Sequence, residues 1–342
     1  MTKNVVLNKP EVSIIIPVKE INNYLRKETI PAILKQTYKN FEIIILSDKE
    51  SKEKFSKTKI IPTWPKTGPA DKRDIGAKKA KGKILAFLDD DSYPDKNWLK
   101  NAIKIFQEGN KISAVCGPTL TPSHNNLRQK ASGCVWSTWL GSGGAGTYRC
   151  AIAKRQEVDD YPTVNFLVRK KDFLAVGGFN SHFWPGEDTK LCLDLTKKLG
   201  KKIIYDPRVL VYHHRREVFR LHLKQISRYA IHRGHFARIL PQTSFRIGYL
   251  MPTFFVLGLI GGPILIFLLE IFQFCAVSIP LFILYLFSIF LYLMALLITA
   301  IQVYLKEKNF KLALLVIPSI FITHLIYGTL LVKGFLSPKL NR

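Results

Sequence analysis

Three carboxylates in a row, Asp89, Asp90 and Asp91, directly follow the apolar run at 84–88. Adjacent carboxylates repel one another, so the arrangement is costly unless a cation offsets it. Mg2+ or Mn2+ takes oxygen ligands and commonly bridges one or two carboxylates to substrate phosphates. A solvated turn that caps the helix after Pro94 fits the same residues, and the triad alone does not separate the two. A second acidic pair, Glu187 and Asp188, opens the helix-like stretch 189–199. The helix dipole favours carboxylates there; the functional alternative is a general base that deprotonates an acceptor hydroxyl. The preceding loop, 177–185, carries Phe179 and Trp184, faces that suit stacking on a sugar. His213-His214-Arg215-Arg216 follows the strand-like 209–212. Neutral imidazole ligates divalent ions and paired arginines suit a diphosphate; a basic membrane-proximal patch is the plainer reading.

These groups need a scaffold, and the pattern around them supplies one. Residues 12–17 and 41–46 are continuous β-branched and apolar runs, as in strands buried on both faces of a parallel sheet. Helix-like stretches at 22–36, 71–80 and 97–107 alternate with further strands at 84–88 and 112–115. That alternation predicts an α/β fold with crossover helices. Ligands in such sheets bind beyond the carboxyl ends of the strands, where Pro17, Glu20, Asp48 and the acidic triad fall. Neither GxGxxG nor a P-loop sequence occurs, so dinucleotide and P-loop sites are not supported.

Charge and hydropathy divide the chain. Of the formal net charge of +26, +22 lies on residues 1–247, because residues 248–342 hold six basic and two acidic side chains. The C-terminal part offers three apolar segments, 249–272, 275–305 and 311–332, each about long enough to cross a bilayer. No N-terminal signal is visible in residues 1–11, so a cytoplasmic soluble domain is expected. The basic loop 306–311 then falls on the cytoplasmic side. Three crossings put Lys339 and Arg342 outside, against that rule, and a re-entrant third segment would remove the conflict. Residues 218–240 interleave Phe219, Leu223, Ile226 and Ala230 with five basic residues, the pattern of a basic amphipathic helix in a membrane interface or of an ordinary domain helix. A site for nucleic acid is not expected: the lysines are dispersed and no recognition motif occurs. The five cysteines lack metal-like spacing and read as packing residues. The glycine-rich 141–146 lacks phosphate-loop spacing and reads as a mobile loop.

Taken in order, these pieces resemble the family 2 glycosyltransferases of the GT-A fold over about residues 12–238, and within them the subgroup of succinoglycan and similar surface-polysaccharide synthesis. The stretches that carry the likeness begin at Glu157, Asn165, Gly177, Gly186, Tyr205 and Gln225 (EVDDYP, NFLVR, GGF, GED, YDP and QISRY). The resemblance implies a GT-A nucleotide-diphospho-sugar transferase domain at 1–217, an amphipathic interface region at 218–246 and a transmembrane region of about three helices at 247–342. It implies that Pro17, Glu20 and Asp48 hold the nucleotide base, with Lys72 and Arg73 lining the nucleotide site. Asp89 and Asp91 match the outer carboxylates of a DxD motif around Asp90. One of His213 and His214 would complete the shell of an Mg2+ or Mn2+ ion. Asp188 matches the catalytic base, beside Glu187. Gln225, Arg228 and Tyr229 resemble a QxxRW motif at the acceptor and diphosphate end, and Tyr229 in place of Trp leans toward single-sugar addition. The implied reaction is inverting transfer from a nucleotide-sugar, a UDP-sugar by family habit, to a lipid-linked or other saccharide acceptor. Its expected place is the inner face of the cell membrane, among membrane lipids. A processive synthase and a non-catalytic nucleotide-sugar-binding subunit are the alternatives.

Overall fold

The computed structural model describes residues 9–65, 67–144 and 146–339. The signal reading at residues 1–8, Arg342 in the tail and Ala145 in the glycine-rich stretch lie outside those residues. The chain forms two compact units: one from the residues up to Pro122 together with Ala151–His214, the other from Ser123–Cys150 together with the residues from Arg215 onward.

The strands in chain order are β1 (Val12–Pro17), β2 (Phe41–Ser47), β3 (Thr58–Pro62), β4 (Ile84–Leu88), β5 (Ser92–Pro94), β6 (Ile112–Cys116), β7 (Thr119–Leu120), β8 (Gln156–Val158), β9 (Asn165–Arg169), β10 (Lys202–Tyr205) and β11 (Val211–His213). The helices are α1 (Ile30–Leu34), α2 (Pro69–Lys79), α3 (Trp98–Gln107), α4 (Leu127–Ser137), α5 (Trp139–Ser142), α6 (Thr147–Cys150), α7 (Lys170–Ala175), α8 (Glu187–Leu193), α9 (Arg220–Ile239), α10 (Pro241–Ser244), α11 (Ile247–Ile271), α12 (Cys275–Glu307) and α13 (Phe310–Leu336).

In the first unit, eight strands form one mixed sheet in the order β3-β2-β1-β4-β9-β6-β10-β8. β1 pairs in parallel with β2 and β4, as their uninterrupted apolar sequences require of central strands. All six residues of β1 are buried. β9 enters antiparallel between β4 and β6. Its first residue, Asn165, is fully buried. The Asn165 amide donates to the Gly117 (2.7 Å) and Val209 (2.8 Å) carbonyls and accepts from Trp98 Nε1 (2.9 Å). A buried amide survives only when satisfied in this way, and here it joins the start of α3 to the connections at Gly117 and Val209. A small second sheet, β5-β11-β7, lies within the same unit. β11 runs antiparallel to β5, with His213 opposite Ser92. That register returns the chain to the acidic triad, setting His213 against Ser92, 121 residues earlier.

The second unit gathers α4–α6 and α9–α13. Residues 123–150, placed inside the first domain by the sequence reading, pack here instead, because Ala131, Cys134 and Val135 of α4 are buried in one cluster with Leu312, Val316 and Ile320 of α13. Three helices, α11, α12 and α13, are long and apolar enough to cross a membrane. Ile226 and Ala230, expected on the apolar face of α9, are buried inside the unit, but Arg233 departs from the amphipathic pattern. Expected on a polar face, Arg233 is buried, its guanidinium 4.7 Å from the centre of the Tyr249 ring and hydrogen-bonded to Ser244 Oγ at 3.2 Å. Of the cysteines, Cys116, Cys134 and Cys192 are buried free thiols, as packing residues should be. In the glycine-rich stretch, Gly143 and Gly144 adopt φ of +62° and +70° after the short helix α5, a conformation that glycine takes without strain.

Candidate active site

The acidic triad leaves the carboxyl end of β4, and the turn is closed by Ser92, whose hydroxyl donates to the Asp89 carbonyl at 2.8 Å. Thr29 in turn donates to the Ser92 carbonyl at 2.8 Å, fixing the turn to the wider helical turn Leu25–Thr29 ahead of α1. The three carboxylates part company from there. Asp90 turns toward Asn22, whose amide donates to it at 2.6 Å. Burial, and then the charges of Asp91 and Asp89, push the Asp90 carboxyl up to about 7. Asp89 and Asp91 face the other way and meet His213, with Asp91 Oδ1 3.1 Å from His213 Nε2. One ligand atom from each of Asp89, Asp91 and His213 falls within a 4.8 Å span. Two carboxylate oxygens and an imidazole nitrogen are donors that Mg2+ or Mn2+ accepts, so the residues present fit such an ion.

The two histidines do not share this duty. Side chains of adjacent strand residues point to opposite faces. His214 therefore turns away from the triad, with Nε2 3.0 Å from a Glu28 carboxylate oxygen and its ring 4.2 Å from that of Tyr24. This narrows the expectation that one of the two histidines completes the ion's shell: His213 is the one beside Asp91.

Arg73 of α2 is the link between the two acidic clusters. Its guanidinium donates to Asp89 Oδ1 at 2.7 Å and reaches Glu187 Oε1 at 3.5 Å, while its side chain is only 6% exposed. Arg73 Nε is buried without a hydrogen-bond partner among the described residues. Glu187 is itself 5% exposed, and burial first, then the charge of Asp188, raises its carboxyl above the ordinary range against the pull of Arg73. Enclosed and paired with Arg73 in this way, Glu187 is less open to a substrate hydroxyl than the half-buried Asp188. Asp188 is half-buried, and one of its oxygens accepts from the Thr189 N–H at 2.8 Å. Thr189 is anchored through its hydroxyl to Asp160 at 3.0 Å, so the first turn of α8 is held to the segment between β8 and β9.

The residues expected at the nucleotide base are more scattered. Pro17 is buried at the end of β1 opposite Leu46. Lys72 is buried, contacts the Asp48 carboxylate and donates to the Val18 carbonyl at 2.5 Å, tying the ends of β1 and β2 together. Glu20 is exposed and paired with Lys49 at 3.3 Å. Gln225, Arg228 and Tyr229 lie on α9 in the second unit, where the Tyr229 ring meets Trp136 edge-on at 5.8 Å. Sequence reading passed over Asn22, Glu28 and Asp74. Asp74 accepts from the Phe179 N–H at 2.9 Å and so holds the glycine turn before α8, where Gly178 has φ of +76°. The glycine pair was a visible signal for a tight turn; the acid that fastens it, 105 residues away, had none.

Burial pushes the Asp74 carboxyl up to about 6. A raised carboxyl holds its proton longer in the folded chain than in the unfolded one, so its contribution to stability is complete below about pH 4 and is lost as pH rises through about 6. Asp74→Asn keeps the acceptor for Phe179 and removes the titration. Thermal melts between pH 4 and pH 7 should show the native Tm falling relative to that of Asp74→Asn; parallel curves would refute the assignment.

Residues 13–177 match the model of glycosyl transferase family 2. A 115-residue stretch, 31% of this chain, is 37% identical to an uncharacterized glycosyltransferase of Rickettsia bellii (strain RML369-C) and spans 16% of that protein. A longer stretch is 21% identical over 223 residues to the glucosyl-dolichyl phosphate glucuronosyltransferase of Haloferax volcanii, covering 59% of this chain and 69% of that one. Among solved structures, a mannosyltransferase from Pyrobaculum calidifontis in complex with GDP-Man and Mn2+ superposes with a TM-score of 0.50 at 16% identity, over 93% of this chain and 88% of that one. That likeness is one of fold, a GT-A-like α/β domain.

Proposed function

We propose that this chain, built on a glycosyl transferase family 2 domain, transfers one sugar, with inversion, from a nucleotide-sugar to a membrane-associated acceptor. The observation that carries the proposal is the convergence of Asp89, Asp91 and His213 within 4.8 Å at the carboxyl end of β4. A divalent ion held there would neutralise charge on the departing diphosphate. Asp188 takes the proton of the acceptor hydroxyl. The hydroxyl oxygen bonds to the anomeric carbon as the bond from that carbon to the nucleotide's terminal phosphate oxygen breaks, and the nucleoside diphosphate leaves. Arg73 holds Asp89 in place and at the same time ties down Glu187, so the neighbouring carboxylate is not poised as a second nucleophile. Attack by the acceptor itself, and hence inversion, follows. Pro17, Asp48 and Lys72 would border the base and ribose; a UDP-sugar donor rests on the resemblance.

Membrane association of the acceptor is supported by the three apolar helices and by the lipid-phosphate substrate in the name of the Haloferax volcanii relative. A role in surface polysaccharide or glycoconjugate synthesis at the cytoplasmic face of the cell membrane fits these features. Single addition is tested by incubating the purified chain with donor and membrane lipid extract: a discrete product supports it, and a ladder of polymer would replace it with a processive synthase.

The two histidines provide a sharper test of the ion site. His213→Ala should lower metal-dependent donor turnover at limiting Mn2+ by about tenfold or more. His214→Ala, which leaves all three ligands in place, should keep the native metal titration. Equal effects of the two substitutions would contradict the assignment of His213.

A further inference from the structure

α13 has the length and composition of a membrane span, yet its surroundings differ from those of α11 and α12. In its most apolar stretch 39% of residues are buried inside the protein, against 11% in α11 and 6% in α12. α11 and α12 form an antiparallel hairpin: Phe255 stacks on Tyr292 at 4.3 Å, and Gly262 faces the Tyr285 ring further toward the turn. α13 meets the hairpin in the half away from its turn. Gly328 lies against Pro252 and accepts at its carbonyl from Thr253 Oγ1 at 3.0 Å. One helical turn back, His324 is hydrogen-bonded to Tyr292 at 2.9 Å. Nearer its start, Leu312 and Val316 share a buried cluster with Leu296 and Val303 of α12. Along its length α13 thus passes from contacts with α12 to contacts with α11.

The partner on its other side decides the matter. α9 runs parallel to the second half of α13, from His222, 3.1 Å from Thr323, to Arg238, which donates to the Ser337 carbonyl at 2.6 Å. Gly234 of α9 and Gly334 of α13 let the two backbones touch, since a β-carbon at either would strike the opposing helix. Between these ends α9 exposes Lys224 and Arg228. Were α13 to cross the bilayer, α9 would lie beside it at the same depths with those charges facing hydrocarbon, where charged side chains are costly and rarely tolerated.

We propose that the α11–α12 hairpin crosses the membrane and that α13 does not: it lies along the membrane surface at the hairpin base, between lipid and α9. The exposed residues of α13 fit this placement, since Phe310, Leu314, Pro318, Val332 and Leu336 recur at helical spacing as an apolar stripe. Charge fits as well. Lys306, Lys308, Lys311, Lys333 and Lys339 all fall on one side, and the hairpin turn at 272–274 carries no basic residue. The conflict between three crossings and the basic tail disappears. The proposal is independent of the sugar-transfer reading.

The test uses the full chain in sealed right-side-out and inverted vesicles, with Cys150→Ser and Cys275→Ser as background, since Cys150 is a partly exposed free thiol, and one of Gln273→Cys, Lys308→Cys or Lys339→Cys added. A membrane-impermeant maleimide should label positions 308 and 339 in the same vesicle type and position 273 in the other, with labelling lost on inversion. Labelling of 339 together with 273 would overturn the proposal. If Lys339→Cys fails to insert, a protease-cleavable tag after the last residue reads the same side. Nitroxides at Leu314 and Val332 supply a second readout. Equal depths support a surface helix, whereas a crossing would separate these two positions by about 27 Å.

Discussion

Asp188→Asn should reduce sugar transfer by about 10²–10⁴-fold, the usual contribution of a positioned general base, while leaving donor binding intact. The substitution is nearly isosteric, and Asn can still accept the Thr189 N–H bond that now reaches Asp188 at 2.8 Å. Folding and the first turn of α8 are therefore preserved, and the loss falls on kcat rather than on donor Kd. Glu187→Gln is the control. Its carboxylate is buried against Arg73, so it acts on the site by positioning, and the expected signature is a changed Tm with a much smaller change in kcat. A native kcat in Asp188→Asn would remove Asp188 from the chemistry.

Arg73→Met should have the largest effect on stability. The methionine fills part of the space, but it strands Glu187 in a site with 5% exposure and frees Asp89 from its 2.7 Å partner. Breaking a buried ion pair from one side costs about 3–5 kcal/mol, because the remaining charge is left uncompensated. Burial already raises the Glu187 carboxyl, and losing Arg73 raises it further. A raised carboxyl contributes stability that is lost as pH rises through its folded value. The destabilisation should therefore deepen toward higher pH and ease in acid, where Glu187 takes up a proton. Arg73→Met combined with Glu187→Gln should recover much of the Tm, since no buried charge is stranded. If the double variant melts no higher than the single one, the coupling is absent.

Much of the central sheet was legible in the chain itself. β1, β2, β4 and β6 are short apolar runs without a polar alternation, and strands buried on both faces have no other way to be written. β9 was noticed only as part of a family-like stretch. Its antiparallel insertion between β4 and β6 depends on pairings 50 to 85 residues apart, and local periodicity carries no record of such pairings. The site divides the same way. The acidic triad and the two histidines were visible as separate clusters, and the β5–β11 register that joins them was not. That only one of His213 and His214 would meet the triad was readable from alternation along an extended segment, but which one depended on the β5–β11 register. The role of Arg73 as a clamp was hidden, since its two partners lie 16 and 114 residues away. In the second unit, hydropathy found the apolar helices but not the burial of Arg233, which rests on a ring contributed by α11.

The most direct test of the central claim is nucleotide release by the purified full-length chain in detergent, followed across a panel of nucleotide-sugars with Mn2+, Mg2+ or EDTA and with membrane lipid extract as acceptor. The account predicts turnover of one donor that requires the divalent ion and is lost in both Asp91→Ala and Asp188→Asn. Tight nucleotide binding without turnover of any donor, in the presence of ion and lipid extract, would contradict it and leave a binding subunit in place of an enzyme.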